Sequence, residues 1–149
     1  MAYPTVSAPY GLKPINSIDG KPYAGAFRQI PVAASFGTAI FFGDTVQIDS
    51  TGYLVLSTAT NSGNIVGVCV GGSYVNSSGQ TVEAQYIPAS ISTSSNLAYA
   101  YVVDDQQALF KVAVVSSGTT MSSAGHTVVG TNLASVSYTH LTLPTKRIV

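Results

Sequence analysis

Short apolar-alternating runs, broken by turn residues roughly every 8 to 12 positions, constrain this chain more than any other feature. They predict strands over 26–32, 38–42, 45–49, 53–57, 65–75, 81–87, 98–104 and 109–115, with Gly, Asn and Ser at the breaks. No segment sustains the 3.6-residue period of a helix. The expected fold is all-β, a small antiparallel β-barrel or sandwich.

Alternation assigns faces, because side chains two apart along a strand point the same way. Val46 and Ile48 are expected in the core, with Thr45, Gln47 and Asp49 outside. Val82, Ala84 and Tyr86 are likewise set against Thr81, Glu83 and Gln85, and Phe110, Val112 and Val114 against Lys111. In 65–75, Val66, Val68 and Val70 line one face and Gly67, Cys69 and Gly71 the other. A row of such small residues lets another backbone approach closely. Asp49-Ser50-Thr51-Gly52 reads as a hairpin turn.

Hydrophobic residues make up 46% of the 149, which excludes global disorder. The longest apolar stretch, 65–70, is too short to span a bilayer, so no membrane is expected. Residues 1–10 lack a secretory pattern, and synthesis in a cytosol is the default expectation. Only 8% of residues are charged, where about 25% is usual. Lys13, Lys21, Arg28 and Lys111 are scattered, so nucleic acid is not an expected partner. Polarity comes instead from Ser, Thr, Asn and Gln, which favours recognition by shape and backbone pairing over long-range steering.

Residues 1–25 hold four prolines, Pro4, Pro9, Pro14 and Pro22. Proline fixes φ and removes a donor, so this segment is expected to be an extended, irregular N-terminal arm. Tyr3, Tyr10, Leu12, Ile15, Ile18 and Tyr23 punctuate it. These side chains either pack back on their own domain or supply contacts to a partner.

Candidate chemistry is sparse. Asp104 and Asp105 are adjacent, and neighbours on a strand face opposite ways, so they are read as turn residues rather than a catalytic pair. Gly43-Asp44 is read as a turn whose carboxylate accepts backbone N–H groups. Pro88 marks another turn. Cys69 is the only cysteine, which excludes an internal disulfide, and it is read as a packed residue rather than a reactive thiol. His126 stands without a nucleophile motif. Asp44, Asp104, Asp105 and His126 are all that a hydrolytic reading could use. No catalytic, metal-binding or cofactor-binding residue is assigned, and no cofactor or small-molecule substrate is expected.

Three segments, taken in order, resemble a family of tailed-bacteriophage virion proteins, the small head or capsid decoration (cement) proteins. They are 8–23 (APYGLKPINSIDGKPY), 42–46 (FGDTV) and 67–112, the last with GVCVGGSYVNSSGQ, QYIPAS and AYVVDDQQALFKV. Gln106 stands where the family has proline after the paired Asp, and Cys69 where it has an aromatic. The resemblance implies a non-enzymatic structural protein of the capsid exterior. It implies the major capsid protein and copies of the chain itself as partners, with residues 1–25 as the capsid-contact arm. The alternative is a receptor- or glycan-binding module of a tail fibre or adhesin. Neutral Ser/Thr/Asn loops can bond sugars, and nine tyrosines could supply a stacking platform.

Residues 136–149 (VSYTHLTLPTKRIV) resemble something else, a translated sequencing adapter. GTC-TCT-TAT-ACA-CAT-CTG-ACG-CTG-CCG-ACG spells Val136 to Thr145 without a gap. Their alternation would equally suit a final strand. On the adapter reading the native chain is cut at about Ser135, and without Lys146 and Arg147 four basic and six acidic residues remain. The expected organisation is therefore an arm (1–25), an incomplete β domain (26–135) and a non-native tail (136–149).

Overall fold

A computed structural model describes residues 11–57, 65–112, 115–117, 120–121 and 125–130. Those residues form an all-β, sandwich-like fold with antiparallel ladders and no α-helix. The strands are β1 (Lys13–Ser17), β2 (Arg28–Pro31), β3 (Ile40–Phe41), β4 (Thr45–Ile48), β5 (Leu54–Leu56) and β6 (Ile65–Val75). They continue with β7 (Thr81–Ala84), β8 (Tyr86–Ile87), β9 (Tyr99–Val103), β10 (Ala108–Lys111), β11 (Val115–Ser117) and β12 (Thr120–Met121). A 3-10 turn covers His126–Val128. The tail at 136–149 lies outside the described residues, as do Tyr3, Tyr10 and Val114.

The long strand β6 organises the main sheet, whose order is β2-β9-β6-β4-β5 with β7 also on β6. Val68 pairs with both Thr45 and Val103, while Gly72 and Ser73 pair with both β7 and β9. β9 therefore occupies one edge of β6, and β4 and β7 share the other in succession. A single parallel bridge, Val32 with Leu54, ties the continuation of β2 to β5. No ladder follows it, so the sheet is not closed into a barrel. Three two-stranded sheets complete the described structure: β1-β10, β3-β8 and β11-β12.

The core gathers Ile30, Val32, Ile40, Val46, Leu54, Cys69, Ile87, Ala98, Ala100 and Val102. Ile40, Val46 and Leu54 are fully enclosed, each such side chain contributing about 1.5–3 kcal/mol of burial. One polar group anchors this core. The Ser92 hydroxyl donates to the Val32 carbonyl at 2.9 Å and accepts from the Ala98 N–H at 3.1 Å, with Ser92 itself buried.

Several expectations from alternation need correction. Val46 is buried, but Ile48 is 41% exposed, while Thr45 and Gln47, expected outside, are buried. The middle of β4 is covered on both faces and Ile48 sits at its open end. Tyr86 is exposed and Ile87 buried, because 81–87 breaks at Gln85 into β7 and β8, which changes the phase. In β6, Cys69 belongs to the core cluster whereas Val68 is buried outside it, and Val66 packs against the cluster. Register shifts between Val46 and Gln47 on β4, and between Cys69 and Gly71 on β6, interrupt the period of two.

The largest correction concerns the arm. Lys13–Ser17 is a strand, paired antiparallel with Ala108–Lys111 through a bulge between Pro14 and Asn16. The chain then doubles back: the Gly20 N–H donates to the Ser17 carbonyl, the Ser17 N–H to Lys21, and the Tyr23 N–H to Ile15. Pro14 is accommodated because, among the described residues, β1 pairs only with β10 and through the isolated bridge Asn16–Pro22. Proline is tolerated at strand edges and bulges.

Candidate functional site

Among the described residues, two places bring chemistry-bearing residues together. The first is a backbone junction at Gly43 and Asp44. Residues 41–44 form a tight turn in which the Asp44 N–H donates to the Phe41 carbonyl at 3.2 Å. The buried Asp44 carboxylate accepts the Phe41 N–H at 2.9 Å, the role read from its position between two strands. Gly43 has φ of 91°, a conformation costly for any residue with a Cβ. Its N–H donates to the Cys69 carbonyl, its carbonyl accepts the Leu12 N–H, and the Cys69 N–H donates to Asp44. A Cβ on Gly11 would lie 2.7 Å from the Gly43 oxygen, so only glycine allows the two backbones to meet there. Segments far apart in sequence thus converge: 11–12 on 43, 43–44 on 69, and Cys69 opposite Val102 in β9.

Burial pushes the Cys69 thiol up to about 11, and the Asp44 carboxylate adds in the same direction. The thiolate is the nucleophile, so burial works against reactivity at this cysteine. The remaining carboxylates of the hydrolytic reading each have a partner. Asp104 pairs with Arg28 of β2 at 2.8 Å, a contact between strands rather than the turn role expected of it. Asp105 accepts the Gln107 N–H at 2.9 Å, and its carbonyl accepts the Ala108 N–H, as a turn residue should. Pro88 follows β8, two residues before Ser90, whose φ is 58° and whose N–H donates to the Phe36 carbonyl. His126 opens the 3-10 turn. Among the described residues no group of three or more His, Cys, Asp or Glu could hold a metal ion.

The second place is an aromatic outer face. Ala100 and Val102 point into the core, so Tyr99 and Tyr101 of β9 point out. Phe27, just before β2, stacks on Tyr101 with ring centroids 4.5 Å apart. The Tyr101 hydroxyl donates to the Glu83 carboxylate of β7 at 3.0 Å. Phe27 is 48% and Tyr99 41% exposed. This face thus carries the Phe27–Tyr101 stack and the exposed Tyr99, with Gln29 opposite Tyr101 and Ser73 opposite Tyr99 in the sheet. Sequence reading did not single it out, although the alternation of Tyr99 and Tyr101 with Ala100 and Val102 carries the signal.

Of the residues assigned to the arm, Ile15 and Ile18 are exposed, and Leu12 and Tyr23 are half-buried. The Tyr23 hydroxyl donates to the Ala26 carbonyl, and burial raises its pKa. Tyr3 and Tyr10 lie outside the described residues. Compared with family models, curated proteins and solved structures, the chain matches none.

Proposed function

We propose that this protein is a non-enzymatic phage virion structural protein that decorates or stabilises the capsid shell through multivalent contacts with the major capsid protein and with its own copies. The observation that carries the reading is the junction at Gly43. The described parts of the segments on which the resemblance rests, 11–23, 42–46 and 67–112, meet there and along β1-β10, which supports taking them together as one pattern. Engagement of Asp44, Asp104 and Asp105 by backbone groups or by Arg28 supports the absence of catalysis. A neutral, compact β domain suits a shell, where a repeating surface makes many weak contacts effective together. Co-expression with the major capsid protein from the same genome, followed by cosedimentation and cryo-EM of the shells, tests it. Density on the exterior is expected, and shells that exclude the protein would overturn the reading.

A second reading, a glycan-binding module of a tail fibre or adhesin, is favoured by one observation, the exposed Phe27 and Tyr99 beside the half-buried Tyr101. Glycan-array binding that disappears in Tyr99→Ala would establish it.

A further inference from the structure

In β1-β10, Lys13 and Lys111 stand directly opposite each other, both exposed. Like charges directly opposite across a strand pair are destabilising, and a chain with six basic residues places two of them so. Among the described residues the ion pairs are Lys21–Asp19 and Arg28–Asp104, which leaves Lys13 and Lys111 without a carboxylate. The other end of the ribbon has the opposite sign. Ser17 pairs with Ala108, and the Ile18 N–H donates to Gln107, which brings in the turn bearing Asp105. That carboxylate is exposed and has no cation partner among the described residues. Ile15, between the two ends about 14 Å apart at strand rise, is 45% exposed, and Ile18, at the Asp105 end, is 69% exposed.

We propose that the β1-β10 ribbon is a self-association surface on which a second copy of this chain packs about a two-fold axis. Inverting one ribbon on another sets each lysine pair against the partner's Asp105 turn, brings the two copies of Ile15 together at the centre and places Ile18 beside the partner's lysine end. A two-fold contact needs a self-complementary patch, and positive end, apolar middle and negative end make one. The ribbon is far smaller than the roughly 800 Å² per partner of a standard interface. Pairing is therefore weak for two free molecules and grows when copies are held side by side. Self-contact is the part of the proposed function that this deepens, and solution association is measured without capsids, so either can fail alone.

Sedimentation equilibrium up to about 1 mM in low salt is expected to show a reversible dimer that loosens as salt screens the lysine–aspartate contacts. Lys111→Glu and Asp105→Lys should each weaken it about tenfold or more. The triple variant Lys13→Glu/Lys111→Glu/Asp105→Lys should recover most of the loss, because each reversed end again faces an opposite charge. Ile18→Ser removes an exposed side chain and should weaken the dimer while leaving the thermal midpoint unchanged, which keeps the test valid if a charge variant folds poorly. A monomer throughout the range, a dimer indifferent to Ile18→Ser, or a triple variant no better than the singles would overturn the proposal.

Discussion

Asp49 shows how one side chain sets a local structure here. Its carboxylate accepts the Thr51 hydroxyl at 2.6 Å, the Thr51 N–H at 2.8 Å and the Tyr53 N–H at 3.2 Å, closing the β4–β5 hairpin. The Thr51 hydroxyl bond, followed by the backbone N–H groups, holds its pKa below the ordinary carboxylate value. A carboxyl lowered in the folded state contributes stability above its unfolded pKa of about 3.9 and loses it as pH falls through the folded value. Unfolding curves of wild type and Asp49→Asn should therefore differ most near neutrality and converge below about pH 4. A gap independent of pH would mean that the amide replaces the carboxylate at no electrostatic cost. This turn was readable in sequence because Asp-Ser-Thr-Gly acts locally. Asp104 was not, since its partner Arg28 lies far off in sequence and only the β2–β9 register brings the two together.

At the scale of elements, the strand positions were legible and the burial of their faces was only partly so. β6 covers the predicted 65–75, whereas 81–87 divides into β7 and β8. Face assignment failed where bulges shift the phase and where β4 is covered on both sides, because alternation encodes one wet face and one dry one. β1 escaped notice because Pro14 and a bulge hide its pattern, and its pairing with β10 joins segments far apart in sequence. The small residues of β6 were informative. A Cβ on Gly67 would overlap the Val103 carbonyl oxygen and lie 2.7 Å from a Val102 methyl. Gly67→Ala should therefore separate β6 from β9 and cost about 1–3 kcal/mol, read as a lowered midpoint in urea. An unchanged midpoint would mean that β9 can retreat freely, which is at odds with the full burial of Val102.

At the scale of the molecule, the described structure divides unequally in support. β6 is paired along both edges within a six-stranded sheet that carries the core, whereas β1 and β10 rely mainly on each other. A two-stranded ribbon is marginal alone in water. What fastens this one is the Leu12 N–H on the Gly43 carbonyl and the close seating of Gly11 on Gly43. Regions with few buried contacts open below the global unfolding free energy. Hydrogen exchange at the backbone bonds of each part measures that difference. The N–H of Cys69, bonded to Asp44, and that of Val32, bonded to Ala98, should exchange only on global unfolding. The N–H of Ile18, bonded to Gln107, and that of Tyr23, bonded to Ile15, should exchange about a hundredfold faster or more. Leu12 decides how the parts are joined. If its amide exchanges with the ribbon, the Gly43 junction is a hinge across which a self-associating surface can adjust. If it exchanges with Cys69, the ribbon is rooted in the core and presents its charges at a fixed orientation.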